Sequence, residues 1–281
     1  MTVLIDGKRS DGRIEVTDSS VMRGDGCFEA IRVYSGVPFE TQRHLARLER
    51  SAASLGFSLP PTEEIASWVE EVAVGLDLSL VRVLATRGSA IEPAAAIRVI
   101  VFSHPIEVPA SPVTLLPVPA PWHAPSWELA GAKTLSYAPN LAARRTAISA
   151  GFDDALLISG DGDILEGPTF SIAWVCDGHL ELPSLGLGIL DSITRQLVAD
   201  DALTTMDVVE GRWGLDRLDE ASEVLVMSTV REVQPVAAVG ALRFRSGPVT
   251  RWLSAAFGQR TVAMMSGQGS ISAMPAHDTN R

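Results

Sequence analysis

Lys133 is one of only two lysines in 281 residues; the other, Lys8, reads as part of a surface turn near the N-terminus. Lys133 stands in Ala130-Gly131-Ala132-Lys133-Thr134-Leu135-Ser136-Tyr137, between small apolar residues and a Ser-Tyr pair. An amine in such surroundings loses its charge at moderate cost, because desolvation lowers its pKa. An uncharged amine can form a Schiff base with a carbonyl. The alternative is a solvated loop lysine. Leu165-Glu166-Gly167 puts a carboxylate at the end of an apolar strand. It is either an exposed turn residue or a group that keeps an aromatic ring nitrogen protonated. Gly188-Ile189-Leu190-Asp191-Ser192-Ile193-Thr194-Arg195 is a loop entering a helix. The first N–H groups of a helix are unpaired, so this is either an anion site or a plain cap by Asp191 or Ser192. Met227-Ser228-Thr229-Val230 either holds an anion through hydroxyl and amide groups or turns the chain. Arg47, on the arginine face of a helix, is a solvated residue or a bidentate phosphate clamp.

Other chemistries lack their motifs. There is no P-loop, no Gly-x-Gly-x-x-Gly after a strand, no His-Glu-x-x-His and no Gly-x-Ser-x-Gly. The His, Cys, Asp and Glu residues show no metal-ligand clustering. Cys27 and Cys176 lie far apart and read as free thiols in a reducing cytosol, so a cytoplasmic location is expected. A net charge of −11 argues against nucleic acid and anionic membrane as partners. No apolar run approaches the roughly 18 residues of a membrane span, and the chain reads as opening without a signal segment. With 46% hydrophobic and 20% charged residues, a packed globular protein is expected.

The elements that must carry these residues follow from periodicity. Residues 2–5 read as a strand turned by Asp6-Gly7 into residues 13–17. Cys27–Tyr34 reads as a strand, turned by Ser35-Gly36 into a partner around Val37–Glu40. His44–Leu55 is helical, with Leu45, Leu48, Ala52 and Leu55 recurring at three and four. A second helix opens at Thr62, and Val81–Thr86 and Ile97–Phe102 read as neighbouring strands. The first region is therefore α+β with a largely antiparallel sheet. Six prolines within 104–121 mark a connection and an edge strand at Val113–Leu116. Beyond it come a helix over Pro139–Ala150, strands at Ala155–Ser159, Ile164–Glu166, Ser171–Cys176 and His179–Leu182, and a helix over Thr194–Ala202. A short helix at Leu215–Ala221, strands at Glu223–Met227, Val236–Val239 and Ala241–Phe244, and a helix over Pro248–Phe257 complete the order. The expected division is a small domain over 1–103, a linker over 104–111, a larger domain over 112–261 and a tail over 262–281.

Taken in order, the motifs resemble one family, the fold-type IV pyridoxal-phosphate enzymes: branched-chain aminotransferases, D-amino acid aminotransferases and aminodeoxychorismate lyases. The likeness runs through Leu4-Ile5-Asp6-Gly7, Arg23 to Arg32, Phe39 and His44-Leu45-Ala46-Arg47-Leu48. It continues through Lys133 to Asn140, Asp154 to Leu157, Leu165 to Thr169, Gly188 to Arg195 and Thr229 to Pro235. The resemblance implies an α+β fold of two domains. The small N-terminal domain and a larger C-terminal domain with a barrel-like β core hold pyridoxal 5'-phosphate between them, and a homodimer completes each pocket. It implies that Lys133 binds the cofactor and later moves the α-proton, that Tyr137 bonds the cofactor's ring oxygen, and that Glu166 partners its ring nitrogen. Arg47, the amides of Ile193 and Thr194, and Thr229 would form the phosphate cup, and Leu190 would pack on the ring.

Substrate choice falls on Phe28, Arg23, Arg82 and Arg231. Arg23 stands where relatives usually carry an aromatic residue, and Arg82 where branched-chain enzymes often carry an arginine. Two arginines could clamp a carboxylate, unless Arg23 pairs with Asp25 or with a dimer partner. Arg231 replaces a usually small residue near the phosphate. Arg87-Gly88-Ser89-Ala90-Ile91-Glu92-Pro93 lacks the Arg-x-His carboxylate trap usual in D-amino acid enzymes. The expectation is an aminotransferase moving an amino group between an amino acid and a 2-oxo acid, favouring D-amino acids over branched-chain L-amino acids. The alternative is an aminodeoxychorismate lyase that releases 4-aminobenzoate and pyruvate.

Overall fold

The computed structural model describes residues 2–92, 96–120 and 127–266. The N-terminal strands are β1 (Val3–Ile5), β2 (Lys8–Arg9), β3 (Gly26–Tyr34), β4 (Val37–Pro38), β5 (Ser79–Thr86) and β6 (Arg98–Pro105). They form one antiparallel sheet in the order β2-β1-β6-β5-β3-β4. The helices are α1 (Ser19–Arg23), α2 (Thr41–Ser54) and α3 (Thr62–Ala73). Strand side chains alternate between faces. Ile31 and Val33 of β3, Val81 and Val83 of β5, and Val99 and Val101 of β6 pack against Leu45, Leu48, Ile65 and Val69 of α2 and α3. The intervening residues, Phe28, Ala30, Leu80 and Arg82, fall on the opposite face and line a cavity. One period-two pattern thus builds the core on one side of the sheet and a site wall on the other.

The C-terminal strands are β7 (Val113–Pro119), β8 (Asp154–Ile158), β9 (Ser171–Cys176), β10 (His179–Pro183), β11 (Val208–Gly211), β12 (Glu223–Ser228), β13 (Glu232–Val239) and β14 (Leu242–Arg243). Their order is β11-β10-β9-β12-β13-β7-β8, with β14 on β13, and the sheet curls as a half-barrel. Its helices are α4 (Ala138–Ser149), α5 (Ile193–Ala202) and α6 (Pro248–Met265). Ala173, Val175, Leu225 and Met227 pack under α5 and α6. Their strand neighbours Ile172, Trp174, Val224 and Val226 fill the other side with Leu115 and Leu156.

Several expectations change. The partner of β1 is Lys8–Arg9, with Ile5 opposite Lys8, rather than residues 13–17. Asp6 and Gly7 both have positive φ (51° and 72°), which closes a two-residue turn and fixes that register. Val113–Leu116 is an edge only in part. β7 lies between β13 and β8 and is parallel to both, but β13 pairs only as far as Leu115. Pro117 and Pro119 therefore fall where that side is open and no N–H is needed. Helix α1 and strand β11 were not expected. The stretch Ile164–Glu166 is a bridge and two backbone bonds to Leu157 rather than a full strand. Helix α6 runs to Met265, into the stretch expected as a tail; residues 267–281 of that tail lie outside the described residues. Among the described residues no helix is long and apolar enough to cross a membrane.

Candidate active site

A cavity of about 390 Å³ opens between the two sheets. Lys133 reaches it from a segment that is pinned twice. Its N–H donates to Ser51 Oγ at 3.0 Å, and its carbonyl accepts from the Phe28 N–H at 3.0 Å. The next residues run beside the start of β3: Thr134 bridges Cys27, and the Leu135 N–H donates to the Gly26 carbonyl at 2.8 Å. This approach explains the two glycines of Gly24-Asp25-Gly26. A Cβ on Gly26 would meet the Ala85 carbonyl at 2.5 Å and Leu135 Cδ1 at 2.7 Å. One on Gly24, whose φ of +67° already suits glycine, would meet Ser136 Oγ at 2.7 Å. The Lys133 amine is pushed down to about 8, by burial first and then by the positive charge of Arg47. Lys133 is half-buried on the cavity wall, which is nearer the desolvated amine of the sequence analysis than the solvated loop lysine.

Arg47 is buried, so it does not belong to a solvated face of α2. Its Nε and Nη2 grip Glu29 Oε1 and Oε2 at 2.7 and 2.8 Å, and Nη1 donates to the Asp191 carbonyl at 2.9 Å. His44 Nδ1 lies 2.8 Å from Glu29 Oε2. Burial pushes the Glu29 carboxyl up, but Arg47 and His44 outweigh it and hold the group well below the usual carboxylate range. His44, Arg47 and Ser51 lie three and four residues apart, so one face of α2 carries all three contacts. Glu29 and Ser51 went without a role in the sequence reading. A readable signal existed for Glu29, a carboxylate at the helix-facing phase of β3 between Cys27 and Ile31. Cys27 itself is a packing residue, with its thiol pushed up to about 12 by burial.

Glu166 lines the cavity, and its Oε1 accepts from the Leu190 N–H at 3.2 Å. Burial raises its carboxyl to about 7, against that hydrogen bond, which favours the charged form. Its second oxygen has no partner among the described residues. The Tyr137 hydroxyl donates to the Pro168 carbonyl, its ring meets Phe28 edge-on at 5.6 Å, and burial pushes its phenol well up. Ser192 caps α5 by accepting from the Arg195 N–H. The N–H groups of Ile193 and Thr194 make no hydrogen bond among the described residues, and neither do those of Thr229 and Val230 in the hairpin tip between β12 and β13. Leu190, Ser192, Thr229 and Val230 line the cavity; Ile193 and Thr194, the first two residues of α5, are buried and not on its wall.

The substrate candidates separate. Phe28 and Arg82 line the cavity. Arg82 donates through Nε to His104 Nε2 at 3.3 Å, and its two terminal nitrogens make no hydrogen bond among the described residues. Burial lowers the Arg82 pKa. Arg231 also lines the cavity, but its guanidinium is held by Asp154 at 3.1 Å and Gln234 at 3.2 Å. Arg23 ends α1, exposed, and is not on the cavity wall of its own chain. Nor does it pair with Asp25, whose carboxylate takes Arg87 at 2.9 Å.

The residues present fit pyridoxal phosphate. The site offers a depressed amine for the aldehyde, a carboxylate with an unpartnered oxygen for a ring N–H, and one guanidinium with free helix and hairpin amides for a phosphate dianion.

Comparison with known proteins agrees. The family model described as amino-transferase class IV matches residues 26–239. A Methanocaldococcus jannaschii protein, provisionally named a branched-chain-amino-acid aminotransferase, is 31% identical over 255 residues, covering 84% of this chain and 87% of the relative. A Mycobacterium tuberculosis protein named a bifunctional aminodeoxychorismate lyase and D-amino acid transaminase is 33% identical over 182 residues, 59% of this chain and 62% of the relative. Among solved structures, the branched-chain aminotransferase of Thermoproteus uzoniensis with norvaline superposes with a TM-score of 0.87 at 25% identity, covering 95% of this chain and 97% of that one.

Proposed function

The chain belongs to the class IV aminotransferases, and we propose that it is a pyridoxal-phosphate-dependent transaminase in which Lys133 is the working amine. The observation that carries this is the convergence of Lys133, Glu166 and Arg47 on one cavity, beside the free amides at the start of α5 and in the 229–230 tip. When bound, the cofactor supplies an electron sink that makes the Cα–H of an amino acid acidic. Lys133 Nζ, its pKa lowered to about 8 by burial and Arg47, would hold the cofactor through its aldehyde, and as a free amine it would take the substrate's Cα proton and carry it across the cavity. Glu166 would hold the proton of the ring nitrogen. Arg47, the Ile193 and Thr194 amides and Thr229 would hold the phosphate, and Leu190 and Tyr137 would contact the ring. Glu29 and Ser51 fix Arg47 and the Lys133 backbone so that these groups stay aligned.

The finer reading favours D-amino acids, with branched-chain L-amino acids second. Its support is the guanidinium end of Arg82, which lines the cavity with no hydrogen bond among the described residues and would clamp a substrate carboxylate with Phe28 as the apolar wall. Arg231 is committed to Asp154 and shapes the wall rather than binding substrate. Arg23 would act only in a homodimer, by reaching the partner's cavity from its exposed place on α1. We place this dimer in the cytoplasm, acting on small acids and not on nucleic acid or membrane, in keeping with the net charge of −11. The test is a scan of D- and L-amino acids for conversion of the bound cofactor to its amine form. Turnover with D-amino acids supports the reading, and turnover with L-amino acids alone reverses the preference. Pyruvate released from aminodeoxychorismate, with no conversion by any amino acid, would make the enzyme a lyase instead.

A further inference from the structure

The tip of the β12–β13 hairpin is held from the other sheet. Ser228 pairs with Glu232, which leaves Thr229, Val230 and Arg231 as a three-residue loop on the cavity wall. Glu232 has a φ of 55°, the left-handed region that favours glycine. Its side chain explains why a glutamate stands there. Glu232 Oε1 accepts from the Tyr34 hydroxyl at 2.6 Å and lies 3.2 Å from Arg32 Nη1. The same Arg32 nitrogen donates to the Val230 carbonyl at 2.8 Å. Arg32 and Tyr34 sit on the cavity-facing phase of β3, with the guanidinium 4.8 Å above the tyrosine ring. Arg32 Nε is buried with no partner among the described residues, so this buried cation leaves one donor unmet while its terminal nitrogen serves the loop. With the Val230 carbonyl drawn to Arg32 and the Arg231 N–H donating to Ser228 Oγ, the N–H groups of Thr229 and Val230 have no partner among the described residues. Consecutive free amides of this kind bind oxyanions.

We propose that Arg32, with Glu232 as its anchor, is a positioning residue that holds the Thr229–Val230 tip so that its two free N–H groups receive an oxyanion in the cavity. This rests on the transaminase reading above and adds a residue on β3 to the control of that site. The oxyanion is either the cofactor phosphate or the carboxylate of the amino or 2-oxo acid.

Purified holoenzyme of the wild type, Arg32→Ala, Arg32→Lys and Glu232→Gly is compared for cofactor affinity, KM, kcat and thermal stability. Glycine suits the left-handed backbone at 232 and removes only the anchor, so it serves should Arg32→Ala fail to fold. The expected result is a change of tenfold or more for Arg32→Ala and threefold or more for Glu232→Gly, with partial recovery in Arg32→Lys. A rise in amino-acid KM without loss of cofactor affinity identifies the carboxylate; weaker cofactor binding identifies the phosphate. Variants that melt earlier but keep both affinities would overturn the proposal, as would unchanged affinities in a stable Glu232→Gly. A wild type that converts no amino acid would instead overturn the transaminase reading.

Discussion

Lys133 and Phe28 are joined at both ends. The Phe28 N–H donates to the Lys133 carbonyl, and Lys133 Nζ lies 4.5 Å from the centre of the Phe28 ring. The backbone bond fixes where the lysine's segment meets β3, and the ring marks where its amine comes to rest. A ring face attracts the charged amine by about 0.5–2 kcal/mol. Burial and Arg47 act the other way and win, since the amine falls from 10.5 to about 8. The same cavity wall therefore keeps the amine in place and lets it discharge.

That value sets a pH profile for cofactor capture. Only the uncharged amine attacks an aldehyde, so the capture rate of cofactor-free protein should climb with pH, reach half its maximum at about 8 and level off above that. Stopped-flow absorbance against pH measures it. A climb that continues past about pH 10, as for an ordinary lysine, would show that the amine is not desolvated.

Glu166 predicts a pH-dependent stability of opposite origin. Its carboxyl rises from 4.5 to about 7 in the folded, cofactor-free protein. The folded form thus keeps a proton that the unfolded chain releases. The stability this contributes is fully present below pH 4.5 and is lost as pH rises through 7. The amount is up to about 3 kcal/mol. Glu166→Gln should remove that dependence, seen as melting curves that converge with the wild type at low pH and exceed it at pH about 8. A parallel offset at every pH would contradict it.

Glu29 predicts a double loss. It is fully buried between Arg47 and His44, and removing one member of such a cluster strands a buried charge, at about 3–5 kcal/mol. Glu29→Ala should lower the melting temperature and also weaken cofactor binding, because Arg47 loses its fork. Fluorescence titration of cofactor in a variant that still folds reads the second effect. Unchanged affinity would mean that Arg47 needs no such support.

Arg82 predicts a substrate-dependent loss. Arg82→Ala should raise KM for amino acids by roughly 10- to 100-fold and leave carboxylate-free amines unaffected, since only the former lose a charge-assisted bond. Steady-state kinetics on matched acid and amine pairs decide it. An equal effect on both would assign Arg82 to packing.

That Lys133, Glu166 and part of the 188–195 loop share one cavity wall was legible because the local choices are odd: a lone lysine among alanines, a carboxylate ending an apolar strand, hydroxyls before a helix. The long periodic segments α2, β3, β5 and β9 were legible for the same reason, with one strong local pattern each. What was not legible depends on pairing at a distance. β11 has little alternation of its own and exists because it lies parallel to β10, with Leu180 opposite Val208. Arg47 reads as one arginine among several on its helix until β3 supplies Glu29. Arg23 lies away from the cavity of its own chain because α1, a five-residue turn of helix, carries it outward.

The most direct test of the account is the half-reaction of Lys133→Ala beside the wild type. Wild-type protein loaded with pyridoxal phosphate should show the absorbance of lysine-bound cofactor and lose it on addition of an amino acid alone. Lys133→Ala should lack that band, keep its fold by circular dichroism, and fall in rate by a factor on the order of 1,000 or more. A variant that still shows the band, or that still converts amino acids at a comparable rate, would contradict the assignment of Lys133 as the working amine.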